Sequence, residues 1–109
     1  MHAPYPYDGP EILRGPVEGA LRRVIDPEMA LTIVDLGLVR GVAVSEGRIR
    51  VVLTMTSVAC PVADAILEDV EAELDAVAPR SMGIDLELVW EPPWTPDRMS
   101  ARAKQFMGW

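Results

Sequence analysis

Arg48-Ile49-Arg50-Val51-Val52-Leu53-Thr54-Met55-Thr56-Ser57-Val58-Ala59-Cys60-Pro61 changes its period part-way along. Through Thr56 the residues alternate, with Ile49, Val51, Leu53 and Met55 on one side and Arg48, Arg50, Val52, Thr54 and Thr56 on the other. That pattern predicts a strand with one core face. From Pro61 to Val77 the apolar residues Val62, Ile66, Val70, Leu74 and Val77 recur at helical spacing, which predicts an amphipathic helix. The only cysteine sits at the changeover. A thiol at or just before a helix N-terminus feels the partial positive charge of free amides, and Pro61 suits a first turn that tolerates a missing N–H. Cys60 is therefore a candidate soft-metal ligand or nucleophile, set against the plainer alternative of a small buried hydrophobe.

Working outward, Leu38 to Val44 is valine-rich and Ser45-Glu46-Gly47 is a turn signal, so this segment and Arg48 to Thr56 are expected to form an antiparallel hairpin. A first helix is expected from Pro16, through Val17, Ala20, Leu21 and Val24, ending by Asp26 because Pro27 blocks continuation. Residues 1–15, with three prolines, are expected to be an irregular arm. Downstream, Ile84, Leu86, Leu88 and Trp90 alternate and predict a third strand with those four inward. Residues 16–96 are read as one domain, and 97–109 as a short final helix and tail. The fold class is α/β, of the two-layer α+β kind: helix, strand, strand, helix, strand, with a small three-stranded antiparallel or mixed sheet covered by helices on one face.

This order predicts a common rim. The hairpin puts the start of its first strand and the end of its second at one edge; the following helix runs down and the third strand climbs back. We expect that third strand beside the first, antiparallel to it. The Asp26 to Gly37 loop, the Thr56 to Pro61 corner and the Glu91 to Pro96 segment then converge. Cys60, the carboxylates of Asp26, Glu28 and Asp35, the hydroxyls of Thr54, Thr56 and Ser57, and Trp94 would share that neighbourhood. Each has a bland alternative: Asp26 as a cap, Glu28 as loop charge, Asp35 as an acceptor for turn amides, the threonines as ordinary strand residues.

Composition narrows the chemistry. Of 109 residues, 10 are Lys or Arg and 17 are Asp or Glu, a net charge of −7 that disfavours nucleic acid and anionic membranes as partners. One cysteine excludes an internal disulfide. No basic start with an apolar run opens the chain, and no segment reaches the about 18 continuous apolar residues of a membrane span, so a cytoplasmic protein is expected. The helix after Cys60 exposes Asp64, Glu68, Asp69, Glu71, Glu73 and Asp75 with no base among them: a solvated face, or a docking surface for a basic partner in which Glu68, Asp69 and Glu71 would act, with Trp94 on the rim. The only histidine is His2, so a Cys–His dyad or an internal zinc site has no material. Thiolate favours iron-sulfur clusters and copper(I), but one sulfur cannot hold a cluster that needs four ligands.

Asp26-Pro27-Glu28, Ile33-Val34-Asp35-Leu36-Gly37-Leu38-Val39, Leu53-Thr54-Met55-Thr56, Ala59-Cys60-Pro61 and Pro92-Pro93-Trp94-Thr95-Pro96 follow one another in this order. In that arrangement, from about Pro16 to Met99, the chain resembles the SufT/PaaD-like metal-sulfur cluster assembly family. The resemblance implies an α/β fold and a non-catalytic role in maturing iron-sulfur clusters or delivering them to client proteins. It implies that Cys60, in the cysteine-proline motif with Pro61, is the functional thiol, with Asp26, Glu28, Asp35 and Thr56 in matching segments as supporting residues. PaaD-like members with a cysteine-rich C-terminal extension match poorly, because no cysteine follows Cys60. A transient cluster or iron, with none permanently bound, is the cofactor expectation; other assembly proteins and client apo-proteins are the expected partners. Two copies each supplying Cys60 would be the simplest way to hold a cluster, which makes a homodimer one expectation. Two other readings stay open: an interaction adaptor with a structural thiol, and an accessory subunit of a phenylacetyl-CoA oxygenase-type enzyme.

Overall fold

A computed structural model describes residues 5–56, 60–80 and 82–108, with the side chains of residues 60–62 outside that description. The elements in order are β1 (Tyr7–Asp8), α1 (Glu11–Arg22), β2 (Ile25–Asp26), β3 (Leu31–Thr32), β4 (Val39–Ser45), β5 (Arg48–Leu53), α2 (Cys60–Val77), β6 (Gly83–Leu88), a 3-10 turn (Pro96–Arg98) and α3 (Ala101–Met107). The α/β class holds, with the order β1-β4-β5-β6 in a four-stranded sheet and β2-β3 as a separate pair.

The hairpin β4–β5 forms as the turn signal predicts. Val44 faces Ile49 and Ser45 faces Arg48, leaving Glu46 (φ 49°) and Gly47 (φ 75°) as a two-residue loop with both φ positive. Such a loop matches the strand twist, and glycine adopts it without steric cost. Ile49, Val51, Leu53 and Met55 are buried as expected. In α2, Ala63, Ile66, Val70 and Leu74 are buried, and they share one core with Val17, Ala20 and Leu21 of α1.

The third strand is a correction. β6 lies beside β5, parallel to it, with Ile49 facing Ile84 and Leu53 facing Leu88, and not antiparallel beside β4. The direction of the strand was right and its neighbour wrong. The flank of β4 is taken by β1, whose Tyr7 pairs parallel with Val42 and whose neighbour Pro6 accepts from Val42 N at 2.9 Å. A second consequence is that Trp90, expected inward, stands beyond the end of β6 and is 40% exposed, while Ile84, Leu86 and Leu88 pack against the core from the sheet edge.

The irregular arm expected over 1–15 is also corrected where it is described. Tyr5 is buried, β1 adds to the sheet, and α1 begins at Glu11, five residues before Pro16. Arg14 stabilises that first turn by pairing with Glu11 at 2.8 Å and by lying 4.6 Å over the Tyr7 ring. Pro16 is tolerated inside the helix because the carbonyl it leaves without a donor belongs to Ile12, which is 82% exposed to water. At its far end α1 stops at Arg22, and Ile25–Asp26 turns into β2 before Pro27 is reached. The final helix begins later than expected: Ser100 separates the 3-10 turn from α3 and caps the latter, its Oγ accepting from Ala103 N at 3.1 Å. Among the described residues, no helix is long and apolar enough to cross a membrane.

Candidate functional site

Among the described residues, the loops expected at one edge meet there although the strand order differs, because their meeting depends on strand direction alone. β5 and β6 are parallel, so both end at the edge where β4 begins, which is also where ligand crevices open in sheets with parallel strands. Thr54 N donates to Leu38 O at 2.8 Å and Val89 N to Leu53 O at 2.8 Å, fastening the three strand ends together. Cys60 is the first residue of α2, seven residues after β5 ends at Leu53. The orientation of its thiol, like that of Pro61, lies outside the described residues, and so does Ser57.

Asp26 and Thr56 meet across thirty residues of sequence, Thr56 Oγ1 lying 3.4 Å from Asp26 Oδ2. Asp26 is 1% exposed, and its Oδ1 accepts from Glu28 N at 2.8 Å and Met29 N at 3.3 Å. The carboxylate thereby holds the tight loop between β2 and β3, in which Ala30 takes φ 58°. Asp26 therefore caps no helix, since α1 ends at Arg22; one of its oxygens holds turn amides and the other meets Thr56. Glu28 is exposed on that loop. Thr54 is fully buried, and among the described residues its Oγ1 has no hydrogen-bond partner. An orphaned buried hydroxyl costs about 1–3 kcal/mol, which makes Thr54 the strained member of the set.

Asp35 has a different task. Its Oδ2 accepts from Thr32 Oγ1 at 3.2 Å and its Oδ1 from Ser100 Oγ at 3.1 Å, with Arg22 Nη1 3.5 Å away. Ser100 N also donates to Asp35 O at 2.8 Å. The expected acceptor role is met by side chains from α1, β3 and the α3 cap, and not by turn amides. Trp94 is half-buried and donates its indole N–H to Leu36 O at 2.7 Å. Arg98 Nε donates to Gly37 O at 2.8 Å, and Arg40 bonds Pro92 O. Burial, and then the nearby charge of Arg40, lower the pKa of Arg98, which at physiological pH is charged all the same. Arg22, Arg40, Arg98 and Ser100 were missed in the sequence. Only Ser100 carried a signal, a hydroxyl directly before a helical run.

The sequence model of a family described as iron-sulfur cluster assembly protein matches residues 15–85. The chain belongs to that family. It is 41% identical to the Fe-S protein maturation auxiliary factor YitW of Bacillus subtilis over 99 residues, which cover 90% of this chain and 96% of that one. It is 44% identical to the Fe-S protein maturation auxiliary factor SufT of Staphylococcus aureus over 86 residues, 78% of this chain and 97% of that one. The crystal structure of a DUF59 domain from Bacillus anthracis superposes with a TM-score of 0.80 at 38% identity, covering 90% of this chain and 93% of that chain.

For an iron-sulfur cluster assembly protein the donor set is sparse. Among the described residues, no group of three or more His, Cys, Asp or Glu could hold a metal ion. Glu68 and Glu71 are exposed on α2 and line a groove that runs to β6, whereas Asp69, also exposed, is outside it. Trp94 is engaged in tying the rim together.

Proposed function

We propose that this iron-sulfur cluster assembly protein is a non-enzymatic maturation factor that handles its cargo, a cluster or iron, transiently through Cys60. What supports the reading is that Cys60 opens α2, four residues after Thr56, whose hydroxyl meets Asp26. Amides in the first turn of an eighteen-residue helix favour thiolate over thiol, and α2 has no acid in that turn to oppose them. With a single cysteine in the chain, the remaining ligands must come from a second copy, another assembly protein or the client. Incomplete ligation makes the hold reversible, as delivery requires.

Asp26 supports this by fixing the β2–β3 loop beside the rim and touching Thr56. Asp35 and Trp94 support it at one remove, by fastening the loops that build the edge. The cytosol, where thiols stay reduced, is the compartment in which such a site works. Anaerobic reconstitution with iron and sulfide, followed by absorption spectra of the wild type and Cys60→Ser, tests the reading. Loss of the cluster bands in the variant is expected; equal retention would remove Cys60 from the ligand set.

A further inference from the structure

The open edge of the sheet is built to be read by another strand. Gly83 N donates to Gly47 O and Val89 N to Leu53 O, both toward β5. Strand alternation then turns the N–H and C=O groups of Asp85 and Glu87 the same way, and those of Ile84, Leu86 and Leu88 outward. β6 ends the strand order, so among the described residues these six backbone groups have no strand beyond them. The strand, Gly-Ile-Asp-Leu-Glu-Leu, has no proline, no lysine and no bulge to blunt it. Its two acids are engaged on the sheet face, Asp85 by Arg48 and Glu87 by Arg50.

Beside this edge lies a groove of about 530 Å³ between β6 and α2, floored by Leu67 and Leu86 and lined by Asp64, Glu68, Glu71 and Asp75. None of the four carboxylates takes part in an ion pair among the described residues. The row spans eleven helical steps, about 17 Å, and a six-residue strand spans about the same, so same-face side chains repeating every ~6.6 Å keep pace with the acids. A second copy of this chain would bring an identical acidic row against this one, and the repulsion selects against edge-to-edge dimers.

We propose that β6 docks an extended segment of a partner protein that carries Lys or Arg at alternate positions. Its backbone continues the sheet on Ile84, Leu86 and Leu88, and its cations face Asp64, Glu68, Glu71 and Asp75. Main-chain bonds supply affinity without sequence demands; the acidic row supplies selectivity. This surface is separate from the Cys60 rim and stands or falls independently of it.

The test uses the full chain, isotope-labelled, titrated with a blocked heptapeptide of alternating Lys and Val, and with two analogues N-methylated at every second residue in opposite frames. Expected are slowed amide exchange at Ile84, Leu86 and Leu88 by about tenfold at saturation, binding that weakens with salt, and loss of binding for one methylated frame only. Glu68→Lys combined with Glu71→Lys, which leaves the row without net charge, is expected to weaken binding of the lysine peptide by at least about tenfold and to abolish its salt dependence. Equal binding of both frames, or shifts confined to α2, would reduce the contact to charge attraction and overturn the proposal. Concentration-dependent dimers protecting the same three amides would overturn it in favour of a second copy.

Discussion

Replacing Thr54 by Val changes one buried atom. Thr54 is 0% exposed, its Oγ1 is without a partner among the described residues, and its backbone N–H is already used on Leu38 O. Val keeps the β-branch and the shape, so strand propensity and rotamer are undisturbed. Removing the orphaned hydroxyl recovers part of a penalty of about 1–3 kcal/mol, and the new methyl adds up to about 0.8 kcal/mol of apolar burial. The expected gain is about 1–2 kcal/mol, or about 4–10 °C in Tm for a domain of this length. Scanning calorimetry and urea unfolding of Thr54→Val measure it. A Tm equal to or below the wild type would show that the hydroxyl has a partner and refute the reasoning. The same variant is expected to retain less iron and sulfide after reconstitution, because buried polar groups kept at a stability cost concentrate at working sites.

Other consequences follow from single contacts. Gly37 has φ 75° and a Cβ there would lie 2.2 Å from Arg98 O, whereas Gly108 has φ 76° with nothing within 4 Å. Gly37→Ala is therefore expected to cost about 3 kcal/mol or more and Gly108→Ala about 1 kcal/mol, compared by urea midpoints. Asp35→Ala removes the carboxylate that accepts from Thr32 and Ser100 and leaves Arg22 with Glu18 alone, and should lower stability by about 2 kcal/mol and speed proteolysis within α3. The Tyr5 hydroxyl is pushed up to about 12, first by burial and then by the charge of Glu18. Its folded pKa exceeds its unfolded one, so this stability is whole below about pH 10 and drains away toward pH 12, by an order of 1–3 kcal/mol. Tyr5→Phe should flatten that slope in urea titrations across the window.

Much of the rim was legible in the sequence, and for a definite reason. Its construction needs only strand directions, and a two-residue hairpin loop followed by one crossover helix settles those whichever strand β6 joins. The convergence placed Asp26, Thr56 and Trp94 in one neighbourhood, but the Asp26–Thr56 contact and the Trp94 bond to Leu36 O came only with the packed chain. What escaped were features with weak local signatures. β1 is two residues long and flanked by prolines, so the alternation of Tyr5 and Tyr7 was its only trace. Arg40 and Arg98 carry no local signal, because the carbonyls they bond, of Pro92 and Gly37, lie more than fifty residues away in sequence.

Local pattern was enough to determine the element types, the core faces of β5 and α2, and the placing of the sole cysteine at a strand-to-helix corner, because side-chain periodicity and proline positions act over a few residues. Only the packed chain decided which strand β6 would join, since both neighbours satisfy the same direction and the choice turns on β1 occupying the far flank of β4. That choice leaves β6 at the edge beside an acidic helix. A position in the sheet is a property of all the strands at once, and no single stretch carries it.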